Sequence, residues 1–177
     1  MCGMALVEMN CFNTIDMDKT HNVFISHHGK DDEHVQGLKT RLNNEGYTIR
    51  NSSIDSSKHT AVRPSDKQIA KDLKNGISWA GTFICLLGTE THSRPWVDYE
   101  IKQAHLLGKT IVGIYLHGCK NDVDLPESFK RYGGTPLGWN SLDKLGEAMR
   151  GKPLPAENAD GTPRTPVYTI TRVRCSA

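Results

Sequence analysis

Four short apolar segments, separated by amphipathic ones, constrain the fold of this chain more than any other feature of its sequence. Apolar segments of this length, when continuous rather than alternating, are typical of strands buried on both faces. They are NVFIS, YTIRN, GTFICLLG and TIVGIYL, at residues 22–26, 47–51, 81–88 and 110–116. Alternation of such strands with helices predicts an α/β fold, with a parallel sheet of four to five strands and helices on both faces.

The segments between the predicted strands have the period of amphipathic helices. After the first strand, DDEHVQGLKTRLNNEG carries apolar side chains at spacings of three and four, namely Val35, Leu38 and Leu42. After the second strand, PSDKQIAKDLKNGI (64–77) begins with a capping box formed by Ser65 and Gln68. SLDKLGEAM (141–149) predicts a later helix, whereas the stretch before it, rich in Gly, Pro and Asn, offers only a short one.

The length of the chain suits one domain, and its periodic part extends over residues 21–150. Residues 1–20 have no apolar period, which predicts a flexible leader. Residues 151–177 contain four prolines, which predicts a C-terminal tail that can pack on the domain. Within this tail, VYTITRV (167–173) is compatible with an edge strand.

The charge balance and the cysteine spacing narrow the class of protein. The 22 basic and 20 acidic residues give a net charge of +2 without a basic block, so we expect no nucleic-acid partner. The five cysteines form no CxxC pair, which favours reduced thiols and a cytoplasmic location. Because no apolar segment approaches the length of a membrane span, about 20 residues, we expect no membrane partner.

The segment SRPWVDYEIKQAHLLGK (93–109) predicts the helix after the third strand and raises the question of whether Glu100 is reactive. On a helical wheel, the side chains that would pack on the sheet are apolar: Val97, Ile101 and Ala104. Glu100 falls at the edge of this face, within reach of Trp96 one turn earlier. The edge of a packed face is a place where a pocket can open.

The position of Glu100 allows two interpretations. It can complement the positive end of the helix dipole, a contribution of about 0.3–1 kcal/mol. It can instead be a reactive carboxylate, because ligands of open α/β sheets bind outside the carboxyl ends of the strands. The first strand ends at that same edge with Ser26, His27 and His28. Spacing alone favours the dipole interpretation and leaves the second one open.

Three motifs in this order resemble the TIR domain family, and most of all the TIR-like proteins of the bacterial Thoeris antiphage system. The motifs are VFISHHGKDD, ICLLGTET and RPWVDYEI, at residues 23–32, 84–91 and 94–101. The resemblance covers roughly residues 22–117. It implies a flavodoxin-like TIR fold and, as in the enzymatic members of the family, cleavage of the bond between nicotinamide and ribose in NAD.

The resemblance also implies roles for individual residues. The glutamate of the third helix, which follows a tryptophan by four positions in the family, is catalytic and maps onto Glu100. The residues that would bind the substrate are Ser26, His27, His28, Asp55, Trp96 and Tyr99. NAD is the substrate, and neither a separate cofactor nor a metal ion is implied. The loop at about 52–63 would border the pocket and take part in assembly.

The partners implied by the resemblance are NAD, other TIR protomers, and a separate effector reached through a diffusible ADP-ribose derivative. A different class of function stays open, because many TIR domains assemble with one another and catalyse nothing. Some TIR enzymes carry arginines just after the first strand, whereas this chain has His27, His28 and Gly29. This difference leaves the residues that contact phosphate unassigned.

Motifs of other functional classes do not occur in the sequence. The eight histidines show no HExxH spacing, which argues against a zinc site. The chain has no Walker motif, no GxGxxG after a strand and no GxSxG, which argues against an ATPase, a dinucleotide dehydrogenase and a serine hydrolase. A receiver domain would need clustered acids at the end of the first strand, where this chain has Ser26, His27 and His28.

Overall fold

The computed structural model describes residues 20–27, 31–44, 48–51, 65–119 and 123–164, and the statements below refer to these residues. Within them the chain alternates strands and helices, as predicted. The strands are β1 Thr20–Ser26, β2 Thr48–Asn51, β3 Thr82–Leu87, β4 Thr110–Tyr115 and β5 Pro136–Leu137. The helices are α1 Asp32–Asn44, α2 Asp66–Trp79, α3 Pro95–Leu106, α4 Glu127–Tyr132 and α5 Leu145–Met149. Two short 3-10 helices lie at Thr91–Ser93 and Trp139–Lys144.

The five strands form one sheet in the order β2-β1-β3-β4-β5, and every neighbouring pair is parallel. This order is that of flavodoxin-like doubly wound folds. The predicted α/β class is therefore confirmed. β5 contains two residues only, which is too short for a hydrophobic period, and the sequence alone did not locate it.

Helices cover both faces of the sheet and divide the core into two clusters. On one face α1, α5 and the 3-10 helix Trp139–Lys144 pack against the sheet, and the predicted stripe of α1 is buried as expected. On the other face α2, α3 and α4 pack against β1, β3 and β4. The strands of the middle of the sheet are buried on both faces, which explains their continuous apolar sequences.

The ends of two predicted helices differ in detail from the expectation. At α2, Ser65 caps the helix by accepting a hydrogen bond from the Gln68 N–H at 3.3 Å, but the Gln68 side chain donates to Asp72 instead of returning to the cap. Segment 141–149 is a 3-10 helix for its first half. A 3-10 helix has three residues per turn, which brings side chains at intervals of three to one side, here the buried Trp139, Leu142 and Leu145.

The segment that follows α5 packs along β5. The backbone N–H of Glu157 donates to the Pro136 carbonyl at 3.0 Å. The buried carboxylate of Glu157 accepts hydrogen bonds from the Gly138 N–H at 2.9 Å and from the Lys144 ammonium at 2.6 Å. At the end of this segment, Arg164 reaches Tyr115 at the carboxyl end of β4, with 3.5 Å between Nη1 and Oη. The predicted strand 167–173 and most of the leader 1–20 lie outside the described residues.

Candidate active site

The carboxyl ends of β1 and β3 bring the candidate residues together. Ser26, the last residue of β1, is the register partner of Cys85 in β3. Two residues after Cys85 the strand ends, and the chain turns into α3 through a short 3-10 helix. Thr91 fixes this turn, because its buried hydroxyl accepts a hydrogen bond from the Gly88 N–H at 2.8 Å and donates to the Leu86 carbonyl at 3.2 Å.

Helix α3 presents Glu100 to the interior of the protein. Pro95 occupies the first turn, where its missing N–H costs no hydrogen bond, and Asp98 suits the positive end of the dipole. The buried residues of the helix are Val97, Glu100, Ile101 and Ala104. Glu100 is 8% exposed, so it lies within the packed face and not at its edge, where the helical wheel placed it. The edge is marked by Trp96 and Tyr99, which are partly exposed.

A hydrogen bond from Ser26 allows a carboxyl group to occupy this position. The Ser26 hydroxyl donates to Oε2 of Glu100, and Ser26 is itself only 2% exposed. Burial raises the pKa of Glu100 from 4.5 to about 7, and the hydrogen bond from Ser26 opposes this rise. Glu100 can therefore exchange a proton near neutral pH, whereas an exposed carboxyl would be ionised throughout that range.

Cys85 is the second buried neighbour of Glu100. Burial raises the pKa of the Cys85 thiol, and the negative charge of Glu100 raises it further. The thiol therefore stays protonated and uncharged beside the carboxyl group. The sequence shows Cys85 only as a residue of a predicted strand, because its position opposite Ser26 depends on the register of β1 and β3.

Trp96 and Tyr99 form an aromatic pair near Glu100. Trp96 lies one helical turn before Glu100, and Tyr99 directly precedes it. Their ring centroids are 5.6 Å apart and their planes meet at 83°, which is an edge-to-face contact. The Tyr99 hydroxyl donates to the Ala70 carbonyl of α2 at 3.4 Å. This bond fixes the pair between α2 and α3, at the margin of the face that buries Glu100.

A cavity of about 180 Å³ opens at the same carboxyl edge of the sheet. Its lining includes one predicted residue, His27, together with charged and apolar side chains that sequence analysis did not assign: Asp31, Leu86, Glu90, Arg94, Val97 and Leu116. Val97 lies one turn before Glu100 on α3, so the cavity and the buried carboxyl group share one helix. Glu100 itself is not one of the lining residues.

Arg94 is the cation of this cavity. One of its terminal nitrogens pairs with Glu90 at 2.5 Å, and its buried Nε has no hydrogen-bond partner among the described residues. Arg94 is not among the predicted site residues, although it belongs to the motif RPWVDYEI and directly precedes α3. The remaining predictions, His28 and Asp55, lie outside the described residues and stay predictions.

The model of a protein family described as "Thoeris protein ThsB, TIR-like domain" matches residues 24–121, which is more than half of the chain. The chain belongs to the ThsB TIR-like family. This assignment confirms the resemblance on which the site residues were predicted. The ThsB match includes the carboxyl ends of β1 and β3 and all of α3, and it ends before α4.

Three solved structures are similar to this ThsB-family chain at low sequence identity. A prokaryotic SEFIR domain is 18% identical, covering 74% of this chain and 94% of the other, with a TM-score of 0.43. A CMP N-glycosidase, BcmB, from Clostridium botulinum is 21% identical, covering 53% and 71%, with a TM-score of 0.39. TIR domains of the activated Roq1 resistosome that recognises the pathogen effector XopQ are 17% identical, covering 54% and 57%, with a TM-score of 0.38. No curated protein sequence matches the chain.

Two further properties of the ThsB-family chain concern the described residues alone. None of the helices in these residues combines the length and the apolar character needed to cross a membrane. No three His, Cys, Asp or Glu side chains are grouped there in a way that could hold a metal ion.

Proposed function

We propose that this protein is a TIR enzyme of antiphage defence that cleaves NAD and releases nicotinamide. The observation that carries the proposal is the carboxyl group of Glu100, held at the carboxyl edge of the sheet with a pKa of about 7. A structural carboxylate is normally solvated or paired with a cation, whereas Glu100 is buried against two uncharged side chains, Ser26 and Cys85. Buried ionisable groups of this kind cluster at functional sites.

Cleavage of the bond between nicotinamide and ribose does not require a strong general acid. Nicotinamide in NAD is already cationic, so the electron pair of the broken C–N bond returns to the ring nitrogen and leaves neutral nicotinamide. The ribose then carries positive charge, as in the transition states of glycoside hydrolysis. The ionised carboxylate of Glu100 would stabilise this charge and hold a ribose hydroxyl.

The neighbouring residues would bind the rest of the substrate. Trp96 and Tyr99 present an aromatic surface beside Glu100 for the nicotinamide and ribose, and His27 lines the adjacent cavity. Arg94 lines the same cavity with a guanidinium group, whose charge suits a contact with the diphosphate. Arg94 would supply the positive charge that some TIR enzymes obtain from arginines just after the first strand, where this chain has none.

The acceptor of the ribosyl group decides the product. Water gives ADP-ribose, while a nucleophile of the same substrate or of another molecule gives a cyclic or conjugated ADP-ribose, with loss of a proton from the nucleophile in each case. Exclusion of water by Trp96 and by neighbouring protomers would favour the second outcome. We propose that such a product acts as a second messenger for a separate effector, and that TIR protomers assemble to form the active state.

A second candidate function is a TIR interaction module without catalysis. The burial of Glu100 favours it, because a carboxyl group that is 8% exposed and bonded to Ser26 has little access to a substrate in this conformation. Against it stands the cavity at the same edge, which an interaction module would not require. The two candidates differ in whether purified protein consumes NAD.

The experiment that decides between them incubates purified protein with NAD, before and after a phage-infection trigger, and follows nicotinamide and ADP-ribose products by mass spectrometry. We expect nicotinamide release by the wild type and its loss in Glu100→Gln. Asp98→Asn is the matched control, because Asp98 lies on the same helix, pairs with Lys102 at 2.5 Å and should not affect the reaction. Full activity of Glu100→Gln would reject the enzymatic role of Glu100.

A further inference from the structure

Ser26 does not occupy a position from which it can bind a substrate. It is 2% exposed and lies at the end of β1, between β2 and β3 in the sheet. Side chains alternate along a strand, and Phe24, two residues earlier, packs in the cluster beneath α3. Ser26 therefore faces α3, where its hydroxyl contacts Glu100.

We infer that Ser26 is a positioning residue of the proposed reaction: its hydroxyl fixes Oε2 of Glu100, so that Oε1 is the oxygen presented to the substrate. This role differs from the substrate contact that the family resemblance implied for Ser26. It rests on the proposed function for its catalytic consequence, whereas the contact itself is independent of any substrate. A carboxyl group held by one oxygen keeps a single orientation, which fixes the direction from which the other oxygen can meet the ribose.

The surroundings of Glu100 make this hydrogen bond the main favourable interaction of its ionised form. Burial disfavours the carboxylate, and Cys85 of β3 is the titratable group that interacts with it. Four titratable groups on α3 and the elements packed against it have partners other than Glu100: Asp98 pairs with Lys102, Glu127 pairs with Lys130, Asp72 accepts a hydrogen bond from Gln68, and Tyr115 lies beside Arg164. His27 follows Ser26, and its Nδ1 lies 3.2 Å from the Ile25 carbonyl oxygen.

Loss of the Ser26 hydroxyl should therefore make Glu100 harder to ionise. A hydrogen bond to a charged group typically changes an equilibrium by about tenfold or more, so the midpoint of Glu100 titration should rise by about one pH unit or more in Ser26→Ala. If the carboxylate is the active form, the acid limb of the pH profile of kcat/KM moves upward by the same amount. Activity lost at pH 7 should return in part at higher pH.

The test compares three variants of the full chain. Ser26→Ala removes the hydroxyl, and Ser26→Thr keeps it. Ser128→Ala is the matched control, because Ser128 is also buried, at 3% exposure, but it interacts with Asp98 and not with Glu100. Two quantities are measured: the titration of the Glu100 carboxyl carbon by NMR of ¹³C-glutamate-labelled protein, identified by its absence in Glu100→Gln, and the pH profile of NAD cleavage.

The expected result is an upward shift of both midpoints in Ser26→Ala, with Ser26→Thr and Ser128→Ala near the wild type. An unchanged Glu100 midpoint in folded Ser26→Ala would overturn the inference. If the wild type cleaves no NAD under any condition, the proposed function fails, and the NMR midpoint still decides whether Ser26 holds the carboxyl group. A shifted NMR midpoint with an unshifted pH profile would show that Ser26 does not act on the reaction, which also overturns the inference.

Discussion

Ser26 and Cys85 lie opposite each other as the last register pair between β1 and β3. Glu100 packs over this pair from α3, accepting a hydrogen bond from Ser26 and raising the pKa of the Cys85 thiol. Neither neighbour carries a positive charge, and no ion pair joins Glu100 to a cation within the described residues. Folding and catalysis therefore place opposite demands on one carboxyl group, since the interior favours its protonated form and the proposed reaction its ionised form.

Glu100→Gln should stabilise the fold at alkaline pH. The folded protein keeps a proton on Glu100 up to a pH of about 7, whereas the unfolded chain loses it near 4.5, so the free energy of unfolding of the wild type falls as the pH rises between these values. The full loss is roughly 3 kcal/mol. Urea unfolding at pH 5 and pH 8 measures it, and the advantage of Glu100→Gln should appear mainly at pH 8. An equal difference at both pH values would contradict the raised pKa.

Arg94→Gln should weaken the binding of NAD more than it slows the reaction. If the guanidinium contacts the diphosphate, its loss should raise KM about tenfold, the usual effect of removing a hydrogen bond to a charged group, with a smaller change in kcat. Steady-state kinetics measure both constants. Arg150→Gln, at an exposed position after α5, serves as the control. A fall in kcat at constant KM would assign Arg94 a different role.

Gly113→Ala should destabilise the sheet. A Cβ atom at position 113 of β4 would lie 2.5 Å from Cζ of Phe129 and 2.7 Å from Cδ1 of Leu87, both in the buried core. Overpacking of this kind typically costs about 1–3 kcal/mol. Gly81→Ala is the control, because its Cβ would meet only the Asn22 carbonyl oxygen at 3.8 Å. Thermal unfolding of the two variants tests this prediction, and we expect a lower midpoint for Gly113→Ala than for Gly81→Ala. Equal midpoints would show that α4 moves away from β4 and relieves the overpacking.

Glu157→Gln should loosen the segment after α5. Burial alone would raise the pKa of Glu157, but hydrogen bonds from Lys144, Ser141 and the Gly138 N–H outweigh it and lower this pKa. The stabilisation is therefore present at neutral pH and is lost as the pH falls through the lowered pKa. We expect a loss of about 1–3 kcal/mol at pH 7.

A matched variant of an exposed ion pair separates this effect from a general loss of charge. Glu147 pairs with Lys152 at 2.7 Å on the surface, where screening by solvent leaves such pairs little effect on stability. Glu147→Gln should therefore change the unfolding midpoint little. Equal effects of the two substitutions in urea unfolding would indicate that burial of Glu157 contributes nothing specific.

The sequence predicted those helices and strands whose own hydrophobic pattern is long enough to recognise. Continuous apolar segments located β1, β3 and β4 within one or two residues, because strands covered on both faces leave no polar position. β5 was not located, since two residues have no period and Pro136 is unusual in a strand. α4 has six residues and was recognised only as a possible short helix.

The sequence could predict the site only where the relevant residues lie within one helix or strand. The spacing of Trp96 and Glu100 within α3 was visible in the sequence, but the burial of Glu100 depends on Ser26, which is 74 positions away in the chain. The electrostatic effect of Glu100 on Cys85 likewise depends on the register of two strands, which places Cys85 opposite Ser26. Distant contacts of this kind have no periodic signal in a single sequence, which is why the helical wheel placed Glu100 at the edge of the packed face.

The segment around Glu157 covers β5 and would limit any association of protomers through this edge of the sheet. Exposed sheet edges are templates for intermolecular strand pairing, and proteins protect them with prolines, short strands and covering loops. All three protections meet at β5: it has two residues, it includes Pro136, and the Pro136 carbonyl already accepts the Glu157 N–H. Polymerisation through this side of the sheet would therefore have to use side-chain contacts instead of backbone pairing. Surface substitutions could then change the geometry of such an interface without loss of the fold.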